Sequence, residues 1–168
     1  MSIEIGLLDS KKHIRDTFSC GEDSLDDYIK KRASQELRKL ISTTFVLTDS
    51  PDNSVLGYYT ISSYSVDASV LDDVFAKSLP RYPSLPATLL GRLAVDLSQK
   101  GKGYGGRLLV DSMKTALDTS KRVASMALVV EAMNENALSF YLRYGFRQFK
   151  IEPMKLYYSM SDIGKLDL

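Results

Sequence analysis

The sequence predicts a single domain of the α/β (α+β) class, a mixed sheet flanked by helices. The chain has 168 residues, 44% of them hydrophobic, with Lys+Arg 22 against Asp+Glu 21, the size and balance of one globular domain. From Ala87 to Ala132 it reads as buried strand, glycine-dense loop, amphipathic helix and buried strand, the crossover unit that joins parallel strands. Before that unit two strands read as a hairpin, and after it the chain finishes in strands. No internal repeat, low-complexity tract or linker interrupts residues 1–168, so the five prolines are loop punctuation.

Ser24 is the expected cap of a first helix, with Asp26 and Asp27 in its first turn. Leu25, Tyr28, Ile29, Ala33, Leu37 and Leu40 recur at three- and four-residue spacing and give it an inward face. Its outer face carries Lys30, Lys31, Arg32, Arg38 and Lys39. Strands are expected over Thr43–Thr48 and Val55–Ser65, separated by the turn-forming run Asp49-Ser50-Pro51-Asp52-Asn53-Ser54. A short helix is expected over Ala68–Ala76, then an extended surface loop, since each proline in Leu79–Pro86 restricts itself and its predecessor. The crossover unit follows: a strand over Ala87–Val95, a helix over Gly105–Leu117 with Leu108, Leu109, Met113 and Leu117 inward, and a strand over Val123–Ala132. A helix over Asn134–Tyr144, ended by Gly145 as a left-handed cap, precedes strands over Phe146–Ile151 and Lys155–Met160. Phe149, Tyr157 and Tyr158 are read as exposed, open to either a core or an interface role.

Composition narrows the chemistry. Cys20 is the single cysteine, which excludes an intrachain disulfide and fits a reducing compartment, and His13 is the single histidine, which excludes a His-rich zinc site. No metal site is expected. No stretch approaches the roughly 18 apolar residues of a membrane span, and the start has no basic region followed by a long apolar core, so a cytoplasmic location is expected. The net charge is +1, yet from Ala76 to Arg107 the bases Lys77, Arg81, Arg92, Lys100, Lys102 and Arg107 face the single acid Asp96. Basic charge gathered in one stretch of a near-neutral chain suits one anionic ligand bound in one place.

Two segments carry the sharpest signals. Lys100-Gly101-Lys102-Gly103-Tyr104-Gly105-Gly106-Arg107 lies between a strand and a helix. Its glycines free the backbone N–H groups to face an oxyanion, the helix start adds partial positive charge, and Lys100, Lys102 and Arg107 add full charges. Gly101-x-Gly103-x-x-Gly106 formally matches a dinucleotide fingerprint, but Asp96-Leu97-Ser98-Gln99 separates it from the strand and only one crossover unit is present. A nucleoside-triphosphate loop fails because no Gly-Lys-Ser/Thr follows. In the second segment, Asn134, Ala137, Leu138 and Tyr141 share one helix face. The small Ala137 there would let a slender ligand lie close, with Tyr141 near its reactive end. A plainer reading makes Asn134 an N-cap and Tyr141 a packed aromatic.

Together, the glycine loop after Leu93-Ala94-Val95-Asp96 and the later Asn-x-x-Ala-x-x-Phe-Tyr-x-x-x-Gly-Phe run resemble the GNAT superfamily of acetyl-CoA-dependent N-acetyltransferases. The resemblance covers nearly the whole chain and extends to the branch of toxins that acetylate aminoacyl-tRNA. Its marks there are Phe18-x-Cys20-Gly21, Gly57-Tyr58-Tyr59-Thr60-Ile61-Ser62, Leu79-Pro80-Arg81-Tyr82-Pro83, Gly91-Arg92-Leu93-Ala94-Val95-Asp96 and Phe140-Tyr141. It implies a mostly antiparallel central sheet and acetyl-CoA as donor. By the same resemblance, the backbone of Leu93 and Val95 pairs with the pantetheine arm, and the amides of Gly101, Lys102, Gly103, Tyr104, Gly105 and Gly106 hold the pyrophosphate. Asn134 contacts the cofactor and Tyr141 faces the thioester sulfur. It further implies a homodimer and a small antitoxin that silences the enzyme. Lys100 stands where the family usually has Gln or Arg.

A tyrosine of ordinary pKa about 10 can protonate a thiolate whose conjugate acid titrates at about 8 to 9, which casts Tyr141 as general acid. An N–H near Val95 or Asp96 is the expected donor to the thioester carbonyl. No general base declares itself: His13 is N-terminal, and neither Glu131 nor Asp96 is marked as one. An α-amine, at about pKa 8, needs less help than a lysine at about 10.4, which agrees with aminoacyl-tRNA as acceptor. Lys30, Lys31, Arg32, Arg38, Lys39, Arg81 and Arg92 are the expected phosphate contacts. A housekeeping enzyme for a small amine or a protein, and a non-catalytic acetyl-CoA-binding module, are the alternatives. Cys20 is expected to be structural.

Overall fold

The computed structural model describes every residue from Met1 to Leu168. Its strands are β1 (Ser2–Leu7), β2 (Thr43–Ser50), β3 (Gly57–Asp67), β4 (Ser84–Val95), β5 (Ala127–Glu131), β6 (Arg147–Gln148) and β7 (Lys155–Ser159). They form one seven-stranded sheet in the order β1-β2-β3-β4-β5-β7-β6. The pairs β1–β2, β2–β3, β5–β7 and β6–β7 are antiparallel and β4–β5 is parallel, so the sheet is mixed and mostly antiparallel as expected. Contacts divide the chain into two compact units, Met1–Ser62 with Gly91–Ser112, and Ser63–Leu90 with Met113–Leu168.

In the first unit, β1 is a strand that the sequence reading omits, although Ile3 and Ile5 alternate with polar neighbours; it pairs along β2 from Ser2↔Ser50 to Leu7↔Phe45. The expected hairpin forms, but β2 runs on to Ser50 and β3 begins at Gly57, two residues after Val55. The first helix starts earlier than expected. Glu22, not Ser24, occupies its cap position with no side-chain cap bond, and the helix runs as α1 (Asp23–Asp27), a π turn (Tyr28–Arg32) and α2 (Ala33–Arg38). Tyr28, Ile29 and Ala33 are buried, whereas Leu40 lies beyond the helix end and is exposed.

Adjacent tyrosines on β3 point to opposite faces, as strand geometry requires. Tyr58 packs with Phe18 and Tyr28 and its hydroxyl donates to the Leu25 carbonyl at 2.7 Å. Tyr59 donates to the Asp111 carboxylate at 2.7 Å, on the helix α4 (Tyr104–Ser120). Gly57 is where backbone must come close: a Cβ there would lie 2.8 Å from Leu108 Cδ1 and 3.1 Å from the Ala94 carbonyl oxygen.

In the second unit, the expected helix over Ala68–Ala76 divides into a 3₁₀ turn (Ala68–Val70) and α3 (Asp73–Lys77), because Asp72 caps the latter by accepting the Phe75 N–H. The proline-rich stretch ends sooner than expected, since β4 already includes Ser84 and Pro86. Helix α4 exceeds its expected span at both ends, and β5 starts at Ala127 because Val123 is exposed in the connecting loop. The strand expected over Phe146–Ile151 shrinks to β6, and Met160 starts a short helix, α6 (Met160–Ile163), capped by Ser159. Phe149 and Tyr157 are core residues, not exposed ones; Tyr157 stacks on Phe75 and its hydroxyl donates to the Asp72 carboxylate.

That hydrogen bond, followed by the Phe75 N–H, holds the Asp72 carboxyl below its ordinary pKa. A depressed folded-state pKa contributes stability above the unfolded value and loses it as pH falls. Tyr157→Phe should therefore cost about 1–2 kcal/mol at neutral pH by chemical denaturation, with the gap to the parent narrowing below about pH 4. Gly57→Ala should cost about 1–3 kcal/mol by overpacking in the same assay.

Candidate active site

Strand β4 pairs with β5 from Thr88↔Leu128 to Leu90↔Val130. Leu93 and Val95 lie beyond that register, so β5 does not use their backbone groups. At the strand's end the Asp96 N–H donates to the Leu56 carbonyl at 2.9 Å, and Leu97 N–H to the Ser19 carbonyl at 2.8 Å. The Asp96 amide is thus committed, which removes it as a donor to a thioester carbonyl and leaves Val95. One carboxylate oxygen of Asp96 accepts Ser19 N–H at 2.8 Å, and the other accepts the N–H and hydroxyl of Ser98 at 3.0 and 2.5 Å. Burial works against its charge, but these bonds outweigh it and depress its pKa. Asp96 is a structural pin and a poor base.

The chain then makes a 3₁₀ turn (Leu97–Gln99) and enters the glycine loop. Gly101 and Gly103 have φ of 81° and 79°, the left-handed region that favours glycine, and open space lies where a Cβ would be. Gly103 accepts the Arg107 N–H at 3.2 Å at the start of α4, and first-turn amides of a helix have no intrahelical acceptor. Lys100, Lys102 and Arg107 are exposed, and the Lys102 ammonium donates to Gln99 at 2.9 Å. A cradle of open amide donors among cations fits the pyrophosphate of acetyl-CoA.

The second unit holds the phenol. Helix α5 (Glu135–Arg143) begins after Asn134, whose Oδ1 accepts the Ala137 N–H at 2.9 Å, so this amide is first of all a helix cap. Ala137 is half-buried and Tyr141 is buried. Gly145, with φ 98°, reverses the chain tightly enough that a Cβ would sit 3.2 Å from the Tyr158 ring. The Phe146 N–H then donates to the Tyr141 carbonyl, and Phe140 and Phe146 set ring edges against Tyr141 at 5.3 and 5.5 Å between centroids. The Phe-Tyr-x-x-x-Gly-Phe run is an aromatic clamp. Burial is the single cause that pushes the Tyr141 hydroxyl up to about 12. It stays protonated at physiological pH and is a weaker acid than an ordinary tyrosine.

The expected cationic residues occupy different settings. Lys30, Lys31, Arg32, Arg38 and Lys39 are exposed on the π turn, on α2 and just after it, with Lys31 3.6 Å from Asp27. Arg81 is exposed on the second unit. Arg92 is half-buried in the first unit, its guanidinium carbon 3.5 Å from the Tyr28 ring centroid, while the Tyr28 hydroxyl donates to Glu36 at 2.9 Å. Sequence reading missed this Arg92–Tyr28–Glu36 chain because its members lie on separate elements. Of the three groups weighed as a base, Asp96 is pinned as described and Glu131 is exposed at the end of β5. His13 Nδ1 accepts the Asp9 N–H at 2.9 Å, and burial lowers its pKa. Cys20 is buried, and its thiol is pushed up to about 11 chiefly by burial, which suits a structural role.

The family model for FR47-like proteins matches residues 82–153, the span from β4 through β6. A curated relative, the tRNA-acetylating toxin of Mycobacterium tuberculosis, is 33% identical over 150 residues, covering 89% of this chain and 88% of its own. The chain belongs to the toxin branch of the GNAT acetyltransferases. Among solved structures, AtaT complexed with acetyl-methionyl-tRNAfMet superposes with a TM-score of 0.92 at 29% identity, covering 99% of this chain and 100% of that one. A tyrosine-to-phenylalanine AtaT variant bound to the C-terminus of the antitoxin AtaR and acetyl-CoA gives 0.82 at 26% identity, covering 97% and 96%.

Membership in this GNAT branch makes the open glycine loop testable alone. Gly103→Val should weaken acetyl-CoA binding at least about tenfold by calorimetry, because the side chain fills the cradle and left-handed φ disfavours it. Gly6, with open space where its Cβ would be, serves as the control position, and Gly6→Ala should leave affinity unchanged.

Proposed function

We propose that this chain transfers the acetyl group of acetyl-CoA to the α-amine of an aminoacyl-tRNA, blocking its use in translation. Residues 1–168 act as one acetyltransferase domain, as a homodimer in the cytoplasm, silenced by a small antitoxin. The glycine loop opening α4 carries this reading, since open amides beside exposed cations suit the diphosphate of the acetyl donor. A relative covering 89% of this chain is a tRNA-acetylating toxin, and the AtaT structure holds acetyl-methionyl-tRNAfMet, which supports the acceptor.

In this reading the amides of Gly101 to Gly106, flanked by Lys100 and Lys102, hold the pyrophosphate. The backbone of Leu93 and Val95 pairs with the pantetheine arm, and the Val95 N–H polarises the thioester carbonyl. Asn134 sets the start of α5, and Ala137 leaves room beside it. As the amine nitrogen bonds to the acetyl carbon, the carbon–sulfur bond breaks and its electron pair moves to sulfur. Tyr141, held neutral by burial, donates a hydrogen bond to that sulfur as charge develops and then its proton. It is reprotonated by the proton the nitrogen sheds, so one N–H proton ends on the thiol. With Asp96 pinned and His13 engaged, no strong base serves the amine, which favours an α-amine of low pKa over a lysine.

Lys30, Lys31, Arg32, Arg38, Lys39, Arg81 and Arg92 contact phosphates in this reading. Incubating labelled acetyl-CoA with charged tRNA, a polyamine and a lysine peptide should place label on charged tRNA alone. Tyr141→Phe should lower turnover about a hundredfold or more with acetyl-CoA affinity unchanged; label on the small amines alone would overturn the acceptor. The pH profile of kcat/KM should rise through the amine pKa and show no fall from the phenol below about pH 10, because a group titrating near 12 is still protonated there. Arg38→Glu with Lys39→Glu should raise KM for tRNA and flatten its salt dependence, leaving KM for acetyl-CoA unchanged.

A further inference from the structure

Leu40 is the one non-glycine residue with a positive φ, 59°. It follows the end of α2, where the Leu40 N–H donates to the Leu37 carbonyl at 3.2 Å and the Ile41 N–H to the Glu36 carbonyl at 2.9 Å. This bond pair defines a helix end whose left-handed residue is usually glycine or asparagine, because a Cβ crowds the following carbonyl there. A leucine occupies the position instead, 91% exposed, and Ile41 beside it is 60% exposed. The chain therefore carries backbone strain and two adjacent apolar side chains in water. Neither helps the first unit fold, and glycine would end the helix at lower cost.

The surroundings indicate what covers them. From Lys30 to Lys39 the exposed side chains are Lys30, Lys31, Arg32, Gln35, Arg38 and Lys39, while the carboxylate of the half-buried Glu36 takes the Tyr28 hydroxyl. An RNA backbone would gain from these cations and nothing from a strained leucine and an isoleucine. A second copy of this surface would set like charge against like. We propose that Leu40 and Ile41 are the apolar anchor of a protein-docking surface whose occupant is an acidic amphipathic segment of the silencing antitoxin. Its apolar residues cover Leu40 and Ile41, and its carboxylates lie along Lys30 to Lys39. This rests on the reading above, in which the same cations hold tRNA phosphates, so the segment silences the enzyme by competing for that helix.

The test uses the full chain and the protein encoded by the adjoining reading frame, titrated by fluorescence anisotropy. Leu40→Gly relieves the strain and should melt no lower than the parent, so lost binding does not reflect unfolding. Leu40→Gly combined with Ile41→Ser should weaken the partner about tenfold or more, while acetyl transfer to charged tRNA without the partner stays unchanged. Parental affinity in the double variant would overturn the site. So would a fall in acetyl transfer matching the fall in binding, which would make the patch an RNA surface, or a smaller assembly mass by light scattering, which would make it a self-interface. A parent chain that acetylates charged tRNA yet binds no neighbouring product would remove this proposal and the antitoxin together, leaving the enzymatic reading standing.

Discussion

The hydrogen bonds of Asp96 are the constraint on which the glycine loop of the first unit depends. One residue closes three ends at once: its amide returns to Leu56, one carboxylate oxygen holds the Ser19 N–H, and the other caps the turn at Ser98. Because β4 is stopped there, the chain leaves the sheet and turns through Gly101 and Gly103 into α4 with its first amides open. A carboxylate so engaged is held in its charged form and is unavailable for proton transfer. The same bonds that lead the chain into the glycine loop therefore leave Asp96 a poor base.

In the second unit a backbone constraint plays the matching part. Gly145 reverses the chain against the Tyr158 ring, so Phe146 returns onto Tyr141, which Phe140 also contacts. Burial raises the phenol pKa, fixes its neutral form and sacrifices acid strength. A donor of this kind stays neutral, and because a phenol near 12 is a weaker acid than the departing thiol, it passes its proton to sulfur only as the attacking nitrogen replaces it. Tyr58 and Tyr59 show the same economy on β3, fastening the Leu25 turn and α4 to opposite faces of one strand.

Much of this was legible in the sequence. The crossover unit, the hairpin, the left-handed Gly145 and the glycine loop each follow from local chemistry, namely apolar periodicity or a glycine where the backbone turns. What escaped had no local signature. The π turn at Tyr28–Arg32 shifts the helix register after Leu25, and the expected inward Leu40 falls past the helix end into solvent. β1 was missed because a short edge strand gains its pairing from β2. The short β6 and the division at Asp72 reflect bonds to residues far along the chain, such as Tyr157. Arg92 is legible as a cation, but its stacking on Tyr28 is a tertiary fact.

In the proposed reaction the acetyl group reaches an amine of low pKa, supplied by the acceptor end of a charged tRNA. Mass spectrometry of the terminal nucleoside reads this without relying on toxicity or on any partner. Charged tRNA is incubated with the chain and acetyl-CoA, digested with ribonuclease, and its aminoacyl-adenosine is analysed. N-acetyl-aminoacyl-adenosine carrying the acetyl group on the α-nitrogen is the expected product. Unmodified aminoacyl-adenosine, recovered while a polyamine or a peptide lysine in the same reaction becomes acetylated, would contradict the proposed reaction.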